Sequence, residues 1–234
     1  MSVDWLAPIC AYCERSDPGF WAEPVNALSN AAFLAAAGLA GWQARRSEPR
    51  DGPALALGAL VAVVGVGSFL FHTLAVRWSL LADVIPIALF IYGYFGLAMR
   101  RYFGLGPLAA TGATLGFAAF SFGLEPALDA ALGRATDALT NGSIGYVPAV
   151  LALLGVAAGL LRPQGCALGP ARRQAGWGLL GVAALFALSL GFRTLDRAVC
   201  PVWPIGTHAA WHVLNAVVLF ALIRIAIRYR ARLP

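Results

Sequence analysis

The chain has 234 residues, 60% hydrophobic and 12% charged, with a formal net charge of +6. Soluble domains carry about 25% charged residues, so this composition excludes an ordinary water-soluble fold. The basic residues are all arginines and sort by connection rather than clustering on one stretch, which argues against nucleic acid as a partner.

Seven apolar runs cover about residues 24–43, 53–72, 79–99, 105–124, 145–161, 174–192 and 206–227. Each is long enough to cross a hydrocarbon core of ~30 Å at 1.5 Å per residue. They predict an all-α integral membrane protein, a seven-transmembrane helix bundle forming one domain over 1–234. Acidic residues (Asp4, Glu14, Asp17) precede the first run, so it is not a cleaved signal peptide. Arg45, Arg46, Arg50, Arg100, Arg101, Arg162, Arg172 and Arg173 fall on one set of connections, with Arg224, Arg228, Arg230 and Arg232 at the C-terminal end. The alternate set holds only Arg15, Arg77, Arg134, Arg193 and Arg197. The positive-inside rule then puts the N-terminus outside and the C-terminus in the cytoplasm.

Residues 1–23 form an outer segment in which Glu14, Ser16, Asp17 and Glu23 offer oxygens. They read either as a solvated, capped entry to the first helix or as ligands for a hard cation such as calcium. Cys10 and Cys13 lack the second pair that a zinc knuckle needs. Cys200 lies in the last outer loop, and the topology allows a Cys13–Cys200 bridge in an oxidising compartment. Cys166 is expected to be cytoplasmic and inert. In the first run Asn26, Ser29 and Asn30 either stitch helices together or line a site.

The second run ends with Ser68 and His72 on one helical face. The third begins with Asp83, the one acidic residue inside any run. An intramembrane carboxylate needs a partner; it either pairs with an outer-loop arginine such as Arg77 or serves function. The fourth to sixth runs are poor in polar residues and read as scaffold, and 125–144 is expected to include a short amphipathic outer helix. The seventh run opens with His208 and His212, four apart and on one face.

Depth links these residues. His72 ends a helix that runs outward, whereas Asp83, His208 and His212 begin helices that run inward. All four fall within about two turns, roughly 10 Å, of one outer plane. Three neutral imidazoles with one open position suit a catalytic zinc ion, whose bound water becomes acidic enough to act near pH 7. Asp83 is placed to move that water's proton, and Ser68 to hydrogen-bond a developing oxyanion. The substrate that most simply reaches such a layer is a lipid, cleaved at an amide or ester.

Glu23-Pro-Val-Asn26-Ala-Leu-Ser29-Asn30, Ser68-x3-His72, Asp83-x2-Pro86 and His208-x2-Trp211-His212 together resemble the alkaline ceramidases, seven-helix hydrolases of the CREST superfamily. The resemblance runs over nearly the whole chain. It implies that His72, His208 and His212 bind zinc and that Ser68 and Asp83 serve catalysis. The reaction it implies is hydrolysis of the N-acyl bond of ceramide or a related N-acyl lipid. It also implies a Cys13–Cys200 disulfide and a calcium site drawing on Tyr12, Glu14 and Glu23. Ala11 stands where the family has an acid and Ser16 replaces another ligand, so a calcium site here needs Asp17 as a substitute. The arginine-only, Ala- and Gly-rich composition suggests a bacterial inner membrane with the site toward the periplasmic leaflet. The competing expectation is a seven-helix lipid-binding or receptor-like protein with a structural zinc and little turnover.

Overall fold

The structure is a computed structural model that describes residues 3–162 and 169–230. Cys166 and Arg232 lie outside the described residues. The first apolar run forms two helices, α1 (Pro24–Ser29) and α2 (Ala31–Arg46), which meet at Asn30. Asn30 keeps near-helical dihedrals, so the chain passes through the junction without an extended residue. The remaining elements are α3 (Gly52–Leu74), α4 (Arg77–Phe103), α5 (Pro107–Leu132), α6 (Thr136–Thr140), a 3-10 turn over Ser143–Tyr146, α7 (Val147–Leu161), α8 (Pro170–Val199) and α9 (His208–Arg230). Six units are long and apolar enough to cross a membrane: α3, α4, α5, the 3-10 turn with α7, α8 and α9. At 16 residues α2 is not among them. The chain is an all-helical integral membrane protein; among the described residues the only β pairing is an isolated bridge between Pro8 and Val76.

Local chemistry sets the helix ends. The Asp51 side chain accepts from the Ala54 amide at 3.2 Å and opens α3. Ala75, left-handed at φ 46°, closes it. The N-terminal segment is pinned over that turn, with Ile9 N–H donating to Ala75 O at 2.7 Å. The stretch 125–144, expected to include a short helix, holds one in α6, and the end of α5 also runs into it. α5 continues to Leu132, and α6 alone stands apart. Hydropathy falls where the bilayer ends, but a helix can continue into the polar zone.

α9 packs against α1, α2, α3, α4 and α8, and so closes the bundle. α5 sits at the edge, mainly against α4, with Leu108 and Phe122 largely exposed. Apolar surface of this kind on a spanning helix faces lipid. At the end remote from the histidines, buried Asp51 takes both Arg101 nitrogens at 3.0 Å, with Arg230 at 3.7 Å. That cluster ties the start of α3 to the ends of α4 and α9.

One close approach matters for the site. Pro86 has no N–H, so the Ala82 carbonyl one turn earlier in α4 loses its helical donor. Gly67 of α3 lies directly against that carbonyl, and any Cβ at position 67 would collide with Ala82 O. The missing side chain lets α3 and α4 meet beside Ser68 and Asp83.

Candidate active site

The last turn of α3 supplies His72, and the first two turns of α9 supply His208 and His212. All three are buried, at 0%, 1% and 2% exposure. Their ring centroids are 5.1 Å (His72 to His208), 4.7 Å (His72 to His212) and 4.5 Å (His208 to His212) apart. One nitrogen from each lies within 4.8 Å of the others, the one group of this kind among the described residues.

Neighbours fix which atoms point inward. The His72 Nδ1–H donates to Glu23 Oε2 at 2.6 Å, which leaves His72 Nε2 buried and without a partner. Ser29 donates its one hydroxyl proton to Asn26 O at 2.7 Å, so its oxygen accepts from His212 Nδ1–H, also at 2.7 Å. That tautomer turns the lone pair of His212 Nε2 toward the cluster. His208 stacks on Tyr12 with centroids 3.6 Å apart, and its Nδ1 is buried and unpartnered. Buried nitrogens without partners cost about 1–3 kcal/mol each. A metal ion is the natural occupant of a point where these three rings converge, and imidazoles held by a carboxylate or hydroxyl on the other nitrogen, as His72 and His212 are, are the usual form of its ligands. The residues therefore fit the metal that the sequence suggests.

Glu23 stands just ahead of α1. Burial alone would raise its carboxyl; hydrogen bonds from His72, Arg15 and Asn26 outweigh burial and hold it below the usual carboxylate range. An anionic Glu23 keeps His72 in the tautomer described.

The start of α9 is held by a residue that the sequence did not mark. Asp196, fully buried, accepts from Thr207 N at 2.8 Å and His208 N at 3.0 Å through Oδ1, and from Cys13 N at 3.0 Å through Oδ2. A carboxylate on the free amides of a helix N-terminus is favourable on both hydrogen-bonding and dipole grounds. Gly206, at φ +71°, leads the chain into α9, and a side chain there would collide with Asp196 Oδ1 and the Cys13 Cβ. Cys13 and Cys200 form a disulfide with Cα atoms 5.4 Å apart, while Cys10 is free and exposed. Asp196 lies twelve positions before His208, beyond the reach of any local capping pattern. The signal available in the sequence was an acid shortly before a loop cysteine.

Ser68 and Asp83 lie at the edge of the histidine cluster, both buried. Ser68 Oγ is 3.5 Å from His212 Nε2. Asp83 is close enough to Ser68 and His72 to interact with both, and its Oδ1 is buried without a hydrogen-bond partner. The pairing with Arg77 considered for Asp83 does not occur among the described ion pairs. The arginine whose charge Asp83 senses is Arg193. The sequence assigned Arg193 to an outer connection, but it lies inside α8. There it donates to Tyr12 Oη at 2.6 Å and packs over the rings of Tyr12, Tyr146 and Trp211. Aromatic faces enclose the charge near the end of α8.

The residues suggested as calcium ligands do not converge. Glu14 caps α1, accepting from Val25 N at 2.7 Å and Asn26 N at 2.8 Å. Asp17 closes its own turn onto Gly19 N at 2.6 Å. Tyr12 is buried against His208, and Glu23 is committed to His72, Arg15 and Asn26. Of the two readings of this segment, Glu14 follows the capped helix entry.

An apolar cleft lies between α4, α5, α7, α8 and α9; none of His72, His208, His212, Ser68 or Asp83 lines it, and its nearest wall residues in sequence are Ile87 and Asn215, about one turn from Asp83 and His212. Asp83, Ile87, Phe90 and Tyr94 follow one face of α4, and His212, Asn215, Leu219 and Leu222 one face of α9. The cleft is thus walled by the two faces that carry the site. Tyr94 lines it between Phe90 and Ala98, with its hydroxyl 3.0 Å from that of Tyr102.

No curated protein matches the chain. The family model described as Ceramidase matches residues 11–233. That span takes in every histidine, Asp83, Ser68 and both bridged cysteines, and the chain belongs to the ceramidase family, hydrolases that act on the amide bond of ceramide.

Proposed function

We propose that the chain is a zinc-dependent intramembrane amidohydrolase that cleaves the N-acyl bond of ceramide or a related N-acyl lipid. The observation that carries this reading is the convergence of three buried imidazoles, two with partnerless nitrogens, beside a buried carboxylate whose Oδ1 is also free. His72, His208 and His212 would hold zinc, which when bound supplies a Lewis acid and lowers the pKa of water toward 7. Asp83 accepts a proton from the attacking water at its free oxygen and returns it to the leaving amine nitrogen. Ser68 donates to the carbonyl oxygen as that atom gains charge. The acyl chain lies in the cleft between α4 and α9, which keeps bulk water away from the carbonyl.

The same reading treats α1 and α2 as one further crossing, because 24–46 at 1.5 Å per residue reaches about 34 Å. That gives seven spans in a single domain, with the N-terminus outside and the C-terminus in the cytoplasm. The site then faces the outer leaflet, on the periplasmic side if the membrane is a bacterial inner membrane.

Purified protein incubated with a panel of N-acyl sphingoid and N-acyl amino lipids tests the reading. Release of fatty acid and free amine is expected, abolished by a chelator and restored by zinc. Stoichiometric zinc without hydrolysis of any lipid in the panel would instead favour a binding or receptor-like protein.

A further inference from the structure

The outer segment contains a cation of its own. Arg15, its side chain only 5% exposed, directs its guanidinium into a ring of oxygens. Nε donates to Glu23 Oε1 at 2.5 Å. One terminal nitrogen donates to the carbonyls of Asp17 at 3.2 Å and Gly19 at 3.4 Å, and the other to the carbonyl of His72 at 2.9 Å. One carboxylate and three carbonyls are the oxygen types that a calcium ion collects. They come from three separate pieces of chain: the 17–19 turn, the residue that opens α1 and the end of α3.

We propose that Arg15 replaces a divalent cation in this chain, locking Glu23 onto His72 so that the support of the metal centre is independent of calcium. The guanidinium is planar and carries five donors in a rigid fork, so one side chain can bridge all four acceptors. Its charge balances Glu23, as a buried carboxylate requires. A calcium ion entering the same oxygens would sit in contact with a positive group and would lose the Glu23 oxygen that Arg15 already holds. Glu14 and Asp17 are turned to backbone amides and do not make up the deficit. The consequence reaches the zinc ligands directly. Glu23 Oε2 orients His72 through Nδ1, and Arg15 grips both the other oxygen of Glu23 and the backbone of His72 itself. Arg15 is a positioning residue that acts through Glu23. The proposal rests on His72 being a metal ligand.

Zinc affinity, measured by competition with a chromophoric chelator, tests the inference without relying on activity. For the wild-type chain, millimolar calcium or a calcium-selective chelator is expected to change neither the zinc affinity nor the melting temperature. Arg15→Ala is expected to weaken zinc about ten-fold or more, the range seen when the partner of a ligating histidine is lost. Arg15→Lys, with its charge kept but its fork gone, is expected to fall between the two. A calcium-dependent rise in wild-type zinc affinity or melting temperature would overturn the proposal, as would wild-type affinity in Arg15→Ala. His212→Ala serves as the control. If it too retains zinc, the ligand assignment has failed rather than the role of Arg15. The calcium titration uses only the wild-type chain, so the proposal is testable even if Arg15→Ala does not fold.

Discussion

Around His208 and His72 the interior is dense with directed polar contacts. Asp196 holds three backbone amides, Ser29 orients His212, and Glu23 joins Arg15, Asn26 and His72. One to three turns along the same faces of α4 and α9 from Asp83 and His212, the walls are Ile87, Phe90, Leu219 and Leu222, and the polar groups reduce to Asn215 and the Tyr94–Tyr102 hydroxyl pair. The contrast separates two tasks. Reacting groups must be held to fractions of an ångström, which takes hydrogen bonds with fixed directions. In the proposed function the cleft receives a hydrocarbon chain, which offers nothing to hydrogen-bond, so shape alone would serve there. Substitutions in the first region should change chemistry or folding steeply, and those in the second should change selectivity gently.

The largest expected effect comes from His212→Ala. It should leave the other two imidazoles unable to hold zinc, and elemental analysis should find the purified protein metal-free and inactive. Ser68→Ala and Asp83→Asn should both retain zinc at wild-type stoichiometry. Ser68→Ala should lose about 100-fold in kcat, the scale of a lost oxyanion donor, as read by fatty-acid release. Metal loss in either variant would break the division between ligands and reacting groups. Asp196→Ala should orphan the three buried amides it caps, at about 1–3 kcal/mol for each. It should lower the melting temperature even in the zinc-free protein. The gentlest change is Tyr94→Ala, which enlarges the cleft beyond Phe90. Competition between lipids of different acyl length should show preference shifting to longer chains, with total rate changed by less than about ten-fold; an unchanged length profile would remove the cleft from the account of binding.

The sequence made the layer of the site legible and left its contacts hidden. Three histidines, Asp83 and Ser68 could be brought to one plane by counting residues along apolar runs, because rise per residue fixes depth. Helix rotation and loop path are not fixed by that count. Hence Ser29 and Glu23 stood in the sequence with open roles, and Asp196 and Arg193 with none at the site. Arg193, expected on the outer connection after the sixth run, lies in the continuation of α8 beyond that run, where Tyr146 and Trp211 enclose it. The break at Asn30 has no proline or glycine to announce it, and the extension of α5 to Leu132 was masked by Glu125 and Asp129, which end the apolar run but not the helix. The calcium reading rested on Glu14, Asp17 and Glu23, of which only Glu23 gives a carboxylate oxygen to the ring around Arg15. What it could not reveal was the direction of the Arg15 side chain, which lies between two of those residues in sequence and takes the oxygen of one of them.

X-ray absorption at the zinc edge of the purified, zinc-loaded protein tests the central claim most directly. The account predicts three imidazole nitrogens at about 2.0–2.1 Å and one further oxygen neighbour, with the zinc signal itself lost in His72→Ala. Sulfur neighbours, or a site built only of oxygens, would contradict it.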